Sequence, residues 1–346
     1  MNPEPVASFD IDGRVIGPGA PVFVIAEIGV NHEGSFESCA EMIVAAAKAG
    51  ADAIKLQTID PAENYVRGTE SHELFSTAQL SREDTARAFA VAREHGVLPF
   101  TTAGDGATLE WVDRLEPVAY KISSGLLTNL PVIRLAARTG RALVISTGMA
   151  TVTDIDEAVA AARDAGARAM TVLQCTSIYP APEEALNLNA IAWLEQRYRA
   201  PAGYSDHAPG DEAAVLSVAA GARVIEKHFT FDPDRPGYDH ALSLDAAGFA
   251  RMVSRVRAAE RMMGQPGKHL SAAERDKAGQ MHRILVARRP IAPGEEITPE
   301  NLALKRPLPG TEGLAPKFYD QVLGRRAARA LAVDDPVSGD ALEGGL

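Results

Sequence analysis

The chain has 346 residues, 46% of them apolar, with 35 Lys+Arg against 46 Asp+Glu and a formal net charge of −11. This is the composition of a folded globular protein and excludes a chain too polar to build a core. The acidic balance excludes the basic face that sequence-independent nucleic-acid binding needs, while leaving room for a local positive pocket around a small anion.

The amino-terminal stretch MNPEPVASFDIDGRVIG lacks a basic region followed by an apolar core, so no signal peptide is expected. No apolar run approaches the ~18 residues of a membrane helix, and PVFVIAEIGV is interrupted by Glu27. Only two cysteines occur, Cys39 and Cys175, too few for a disulfide framework or a Cys-type zinc site. A cytoplasmic protein is expected.

From residue 22 onward, β-branched runs alternate with amphipathic helical stretches. Strands are predicted at 22–29, 53–58, 98–103, 119–124, 142–147, 169–175, 202–207 and 224–230. Gly50, Gly96, Gly140, Gly166 and Gly221 close helices just ahead of the next strand, where glycine takes a left-handed conformation without steric cost. Eight βα units predict an α/β chain folded as a (β/α)8 TIM barrel over 1–264, with a short extension over 1–20. The rival, an open doubly wound sheet, lacks its usual G-x-G-x-x-G turn after the first strand. Cys39 lies on the apolar stripe of the first helix, and Trp111 and Trp193 read as helix packing against the barrel.

Residues 265–283 are polar and are expected to form a linker. Over 284–346 a weak repeat emerges. Ile291-Ala292, Glu295, Ile297-Thr298 and Leu302 are echoed forty residues later by Leu331-Ala332, Asp335, Val337-Ser338 and Leu342. A small, pseudo-symmetric β-rich module is expected there.

In a barrel the catalytic face lies at the carboxyl ends of the strands. Here all eight ends are polar, from Glu27 to Glu226-Lys227-His228, although any single Ser or Thr there reads equally well as a helix cap. His207 and His228 end neighbouring strands ~5 Å apart, so both imidazoles can reach one point. They suit a divalent metal with open positions, with Glu27 and Asp206 adding oxygen; the alternative is one general base and one structural histidine. His32 is expected to shape its loop. Lys55 and Lys121, with Ser124, Ser146 and Ser205, suit a phosphate and a carboxylate together. Either lysine could instead form a Schiff base, as in class I aldolases, given a depressed pKa. Cys175 is expected to pack, with facing the site as the alternative.

The motifs IAEIGVNHEGS, AIKLQT, YKISSG, VISTGM, LQCTSIYPAP, GYSDH and EKHFTFD…RPGYDHALS, in this order, resemble the sialic acid (N-acetylneuraminate) synthase family over nearly the whole chain. The tail ILVARRPIAPGEEITPENLALKRPLPG is similar to that family's antifreeze-like (SAF) domain. The resemblance implies condensation of phosphoenolpyruvate with an N-acylated aldohexose, giving an α-keto acid and phosphate. It implies that His207 and His228 hold a divalent metal, Mn2+ first, with Mg2+ or Co2+ as alternatives. Phosphoenolpyruvate contacts map to Lys55, Thr102, Lys121, Ser124, Ser146 and Ser205. Glu27, as a proton-transfer group, and Gln57, Tyr179 and Asp239 match residues on the sugar side. Arg306 matches an arginine delivered by a partner subunit, which implies a domain-swapped homodimer.

Several positions depart from the family pattern. Leu126 stands where an acidic residue is common, Ser177 where Asn is usual, Thr102-Ala103-Gly104 where TPF is common, and Gln280-Met281-His282 where aromatics cover the sugar. These departures lie on the sugar side and leave the acceptor open among N-acetylmannosamine, a phosphorylated or dideoxy-diamino sugar, and another aldose. A Schiff-base aldolase and a sugar-binding homologue without catalysis are the competing readings.

Overall fold

A computed structural model describes residues 6–265 and 267–346. The expected extension and linker therefore fall partly outside the described residues. The chain divides into two compact units, Met1–Gly264 and Gln265–Leu346.

The first unit opens with a hairpin of β1 (Phe9–Ile11) and β2 (Arg14–Ile16), whose Asp12-Gly13 turn has positive φ at both residues. The barrel follows: β3 (Phe23–Gly29), α1 (Phe36–Lys48) and β4 (Ala53–Thr58). Three helices connect the next strand, α2 (Pro61–Asn64), α3 (Glu70–Ala78) and α4 (Arg82–Glu94). Then come β5 (Leu98–Ala103), α5 (Gly106–Asp113), β6 (Ala119–Ile122), α6 (Leu130–Arg138), β7 (Ala142–Ser146) and α7 (Val152–Asp164). The unit ends with β8 (Met170–Cys175), α8 (Ala190–Tyr198), β9 (Ala202–Asp206), α9 (Glu212–Ala219), β10 (Val224–His228) and α10 (Ala246–Met263). Strands β3 to β10 close in sequence order into an eight-stranded parallel barrel. All five predicted C′ glycines have φ between 73° and 103°.

Strand alternation sorts the side chains into two layers. Val24, Ile54, Tyr120, Leu143, Val172, Tyr204 and Ile225 face the helices in one apolar cluster. Phe23, Ile25, Phe100, Val144, Leu173 and Val224 face the barrel axis in another, which Ile11 and Ile16 of the hairpin extend at the amino end. The bottom of the barrel is thus filled, as a packed core requires. Gly203 is placed here by necessity, because a Cβ would meet the Val224 carbonyl oxygen at 2.2 Å. Asp52 fastens the same end, pairing with Arg14 and with Arg257 (3.0 Å) and accepting from the Val24 amide (2.8 Å).

In the second unit the stretch expected to be linker contains a helix, α11 (Ala272–Met281). Its start is signalled by S-A-A-E: Ser271 and Glu274 form a reciprocal capping box. The unit continues with β11 (Ile284–Ala287), β12 (Leu302–Lys305) and the short α12 (Tyr319–Val322). The two halves of the repeat pair with one another, Ile291 and Leu331 exchanging both backbone hydrogen bonds at 2.9 and 3.0 Å. Glu295 and Asp335 each accept from the amide three residues earlier, at 2.9 and 2.8 Å, and Ile297 and Val337 are both fully buried. The sequence echo is a structural pseudo-dyad.

Candidate active site

The carboxyl ends of the strands surround a cavity of about 470 Å³, and every predicted site residue of the first unit except Asp206 lines it. The alternation that sends Ile25, Ala53, Val144 and Val224 to the axis sends Glu27, Lys55, Ser146, Glu226 and His228 there one or two steps later.

The floor is a buried charge network. Lys121 Nζ donates to Ser146 Oγ (2.7 Å) and Glu226 Oε1 (2.9 Å), and Ser205 donates to the same Glu226 oxygen at 2.9 Å. Lys55 Nζ lies 2.9 Å from Glu27 Oε2 and 3.5 Å from Glu226 Oε2. Gln57 donates to Glu27 Oε1 at 3.0 Å. The ladder shifts register between Glu27 and Gly29. Gly29 has φ of +57°, and a Cβ there would meet Glu27 Oε1 at 2.9 Å, so glycine leaves space for the carboxylate. Burial pulls the Lys55 ammonium down to about 7. Burial also pushes Glu226 up, but the adjacent Lys121 and Lys55 outweigh it and hold the carboxyl below its usual range. Buried ion clusters contribute little net stability, and one gathered at a cavity floor points to function.

His207 and His228 come together above this floor, with ring centroids 5.3 Å apart, and Tyr179 lies over His207 at 4.2 Å. His207 Nδ1 is 2.9 Å from the Thr176 carbonyl, to which it donates, leaving Nε2 free as an acceptor or ligand. His228 Nδ1 is buried without a hydrogen-bond partner, 3.6 Å from Asp239 Oδ2. Burial and the neighbouring His207 charge hold His228 well below its ordinary value, and burial pushes Asp239 up. Two imidazoles with an orphaned nitrogen between carboxylates fit a divalent cation with open positions. Among the described residues no group of three or more His, Cys, Asp or Glu is placed to hold a metal ion, so the two histidines would need ligands beyond these side chains.

Three expectations are corrected. Asp206 adds no oxygen to this site: its side chain points outward, where Oδ2 pairs with fully buried Lys227 at 3.0 Å and Oδ1 accepts from the Ala208 amide. Cys175 lines the cavity, since it shares the parity of inward-facing Leu173; its sulfur lies 3.5 Å from Ser124 Oγ and 3.8 Å from His207 Nδ1. Burial raises this thiol, but contacts with His207, Ser124 and Lys121 outweigh burial and bring it down to about 7. Trp193 is 42% exposed beneath Arg197 rather than packed against the barrel, whereas Trp111 does pack there.

Other expectations hold. Cys39 is fully buried, and His32 is buried and accepts from the Gly34 amide within its own loop. Leu126 and Ser177 line the cavity. Gly104, which ends the departing Thr-Ala-Gly triplet, lies against the Asn64 side chain, whose Oδ1 a Cβ would meet at 1.8 Å and displace. Arg306 is exposed on the second unit, beside His282 in a shallow cavity of about 440 Å³. Glu226, the hub of the floor, carried no assigned role in the sequence; its parity with His228 is the signal that finds it.

A barrel with a charged, histidine-bearing mouth, joined to a pseudo-symmetric β-rich unit, has the architecture of sialic acid synthases. The chain belongs to the NeuB family, whose model matches residues 42–268, and it carries a SAF domain over 282–343. It is 36% identical to the pseudaminic acid synthase of Campylobacter jejuni, covering 94% of this chain and 96% of that one. It is 31% identical to the N-acetylneuraminate-9-phosphate synthase of Mus musculus, covering 96% and 95%. The crystal structure of N-acetylneuraminic acid synthetase from Leptospira borgpetersenii, in complex with citrate, superposes with a TM-score of 0.76 at 30% identity, covering 79% of this chain and 95% of that chain. No helix among the described residues is long and apolar enough to cross a membrane.

Proposed function

We propose that this chain condenses phosphoenolpyruvate with the open-chain form of an acylamino aldose and water, releasing inorganic phosphate and an α-keto acid three carbons longer than the sugar. The single observation that carries the reading is the Lys55–Glu27–Glu226–Lys121 floor beneath the His207–His228 pair, in a cavity of NeuB-family parentage. The names of the relatives support the reaction class, one of them denoting a free acid and another a 9-phosphate.

Phosphoenolpyruvate is a carboxylate and a phosphate on one small carbon frame. Lys55 and Lys121 supply the charge to bind it, and Ser124, Ser146, Ser205 and Thr102 supply hydroxyl donors, with Thr102 Oγ1 buried and without a protein hydrogen-bond partner. In the reaction C3 of phosphoenolpyruvate bonds to the aldehyde carbon, water adds to C2, and the C2–O bond to phosphate breaks. Glu27 is positioned by Gln57 and Lys55 to deliver the proton that the new hydroxyl requires. Gln57, Tyr179 and Asp239 hold the acceptor's hydroxyls, and Arg306 of a domain-swapped partner subunit holds its acyl group. His207 and His228 would hold a divalent cation, Mn2+ in the first instance, which supplies Lewis acidity toward the aldehyde oxygen when bound.

Phosphate release from phosphoenolpyruvate across an aldose panel with Mn2+ tests the reading. His207→Ala is expected to lose activity and bound metal together. Full activity in that variant after exhaustive chelation refutes the metal role. The depressed Lys55 favours a second reading, a Schiff-base aldolase. Borohydride trapping of pyruvate on Lys55, with activity insensitive to EDTA, would establish it in place of the first.

A further inference from the structure

We infer that Asn31 is a positioning residue for the condensation: acting on main chain from outside the cavity, it sets where the Asp239 carboxyl stands inside it. The inference rests on the condensation reading above, in which Asp239 meets the acceptor. Asn31 is 1% exposed and does not line the cavity, so it reaches the substrates only through another residue.

Asp239 belongs to the connection between β10 and α10. The ends of that connection are joined, the Leu244 amide donating to the His228 carbonyl at 2.9 Å and the Thr230 amide to the Leu244 carbonyl at 3.0 Å. Between them the chain turns back through Gly237 and Tyr238, with φ of +84° and +48°. A left-handed tyrosine is costly and persists only where its surroundings hold it. Among the described residues the Asp239 carboxyl accepts no hydrogen bond, and its Oδ2 lies 3.6 Å from His228 Nδ1. What fixes this residue is therefore its main chain.

The hold comes from the loop after β3. Asn31 Oδ1 accepts from the Asp239 amide at 3.1 Å, and Asn31 Nδ2 donates to the Phe229 carbonyl and to Ser243 Oγ, both at 3.0 Å. Ser243 Oγ in turn donates to the Asp239 carbonyl at 2.6 Å. Both main-chain groups of Asp239 are thus held, one by Asn31 directly and one through Ser243. The carboxamide cannot be turned over, because Nδ2 would then face an amide and Oδ1 a carbonyl. The Phe229 amide donates to the Glu27 carbonyl at 2.8 Å, so the same side chain ties Asp239 to the strand that carries Glu27. Glu33, two residues on, holds the neighbour of Asp239 by accepting from His240 Nε2 at 3.1 Å. An anchored backbone beneath an uncommitted carboxyl is the arrangement that presents a side chain to a ligand in one place.

The experiment uses the full-length protein with Mn2+ and measures phosphate release from phosphoenolpyruvate with the best acceptor of the aldose panel, each substrate being titrated in turn. Asn31→Ala is expected to lower kcat/KM for the acceptor by ~10²-fold, the scale of a group misplaced by about 1 Å. KM for phosphoenolpyruvate is expected to stay unchanged, because Lys55 and Lys121 are untouched. On an Asp239→Ala background the same substitution is expected to add no more than about twofold, since it acts through a carboxyl that is no longer there. Ser243→Ala is expected to repeat the acceptor defect and Ser243→Thr, which keeps the hydroxyl, to restore activity; this pair carries the test if Asn31→Ala does not fold. Losses that multiply when Asn31→Ala and Asp239→Ala are combined, or KM values that rise alike for both substrates, show a general structural role and overturn the inference. So does an Asn31→Ala or Ser243→Ala protein as active as the unaltered one, which leaves the condensation reading standing. Unaltered protein that yields no phosphate with any acceptor overturns the condensation reading, and the inference with it.

Discussion

Lys227→Met tests whether the pair behind the two histidines is what holds them. Lys227 and Asp206 are both completely buried in the layer between strands and helices, 3.0 Å apart, and each immediately precedes a histidine of the site. Removing the ammonium leaves the Asp206 carboxylate buried with the Ala208 amide and the neighbouring Tyr204 hydroxyl as its neutral donors. An uncompensated buried charge of this kind costs about 3–5 kcal/mol. For a barrel unit of 264 residues, an unfolding entropy of about 2.1 cal/mol/K per residue gives about 0.55 kcal/mol/K. The expected fall in Tm by calorimetry is therefore about 5–9 °C. Asp206→Asn together with Lys227→Met removes both charges and keeps an acceptor for Ala208, so most of that loss should be recovered. Binding of Mn2+ by the double variant, followed by its paramagnetic signal, should nonetheless weaken by about tenfold, because the anchors of both imidazoles have changed. A Lys227→Met protein with an unchanged Tm, or a double variant as unstable as the single one, refutes the reasoning.

Three further outcomes are expected. His32, whose burial pulls it down to about 4, stays neutral in the folded chain while the unfolded chain takes up a proton near pH 6.5. The unfolded state thus binds more protons between these values, and acidification through that window should cost up to ~3 kcal/mol, measurable by denaturant titration and abolished in His32→Asn. Iodoacetamide should modify Cys175, with its thiol near 7 at the cavity, and spare Cys39, whose burial pushes it up to about 12. Phosphoenolpyruvate should slow the reaction at Cys175, and peptide mass spectrometry showing no protection would count against the anion lying beside it. Gly203→Ala should fail to yield soluble barrel, because its Cβ collides with backbone at Val224 that has no freedom to move; an unchanged Tm would show that the strand pair can part.

The order and kind of the barrel elements were legible in the residues themselves. Alternating β-branched runs and amphipathic stretches ended by glycine are local signals, and each predicted strand lies within two residues of the observed one at either end. The repeat around Ile291 and Leu331 was equally legible, because pseudo-symmetry writes the same hydrophobic spacing twice. Residue type at the strand ends also marked out the site: Lys55, Lys121, His207 and His228 all reach the one cavity. Tertiary structure decided which way each of these residues faces. Asp206 and Ser205 are neighbours in sequence, yet the pleat of β9 sends Ser205 to the Glu226 hub and Asp206 to Lys227 in the helix layer. Cys175 and Glu226 join the site through the same parity, which becomes readable only once the axis-facing core of Leu173 and Val224 is known. Sequence carries the spacing of side chains along a strand, but closure of the barrel determines which of the two faces is inside.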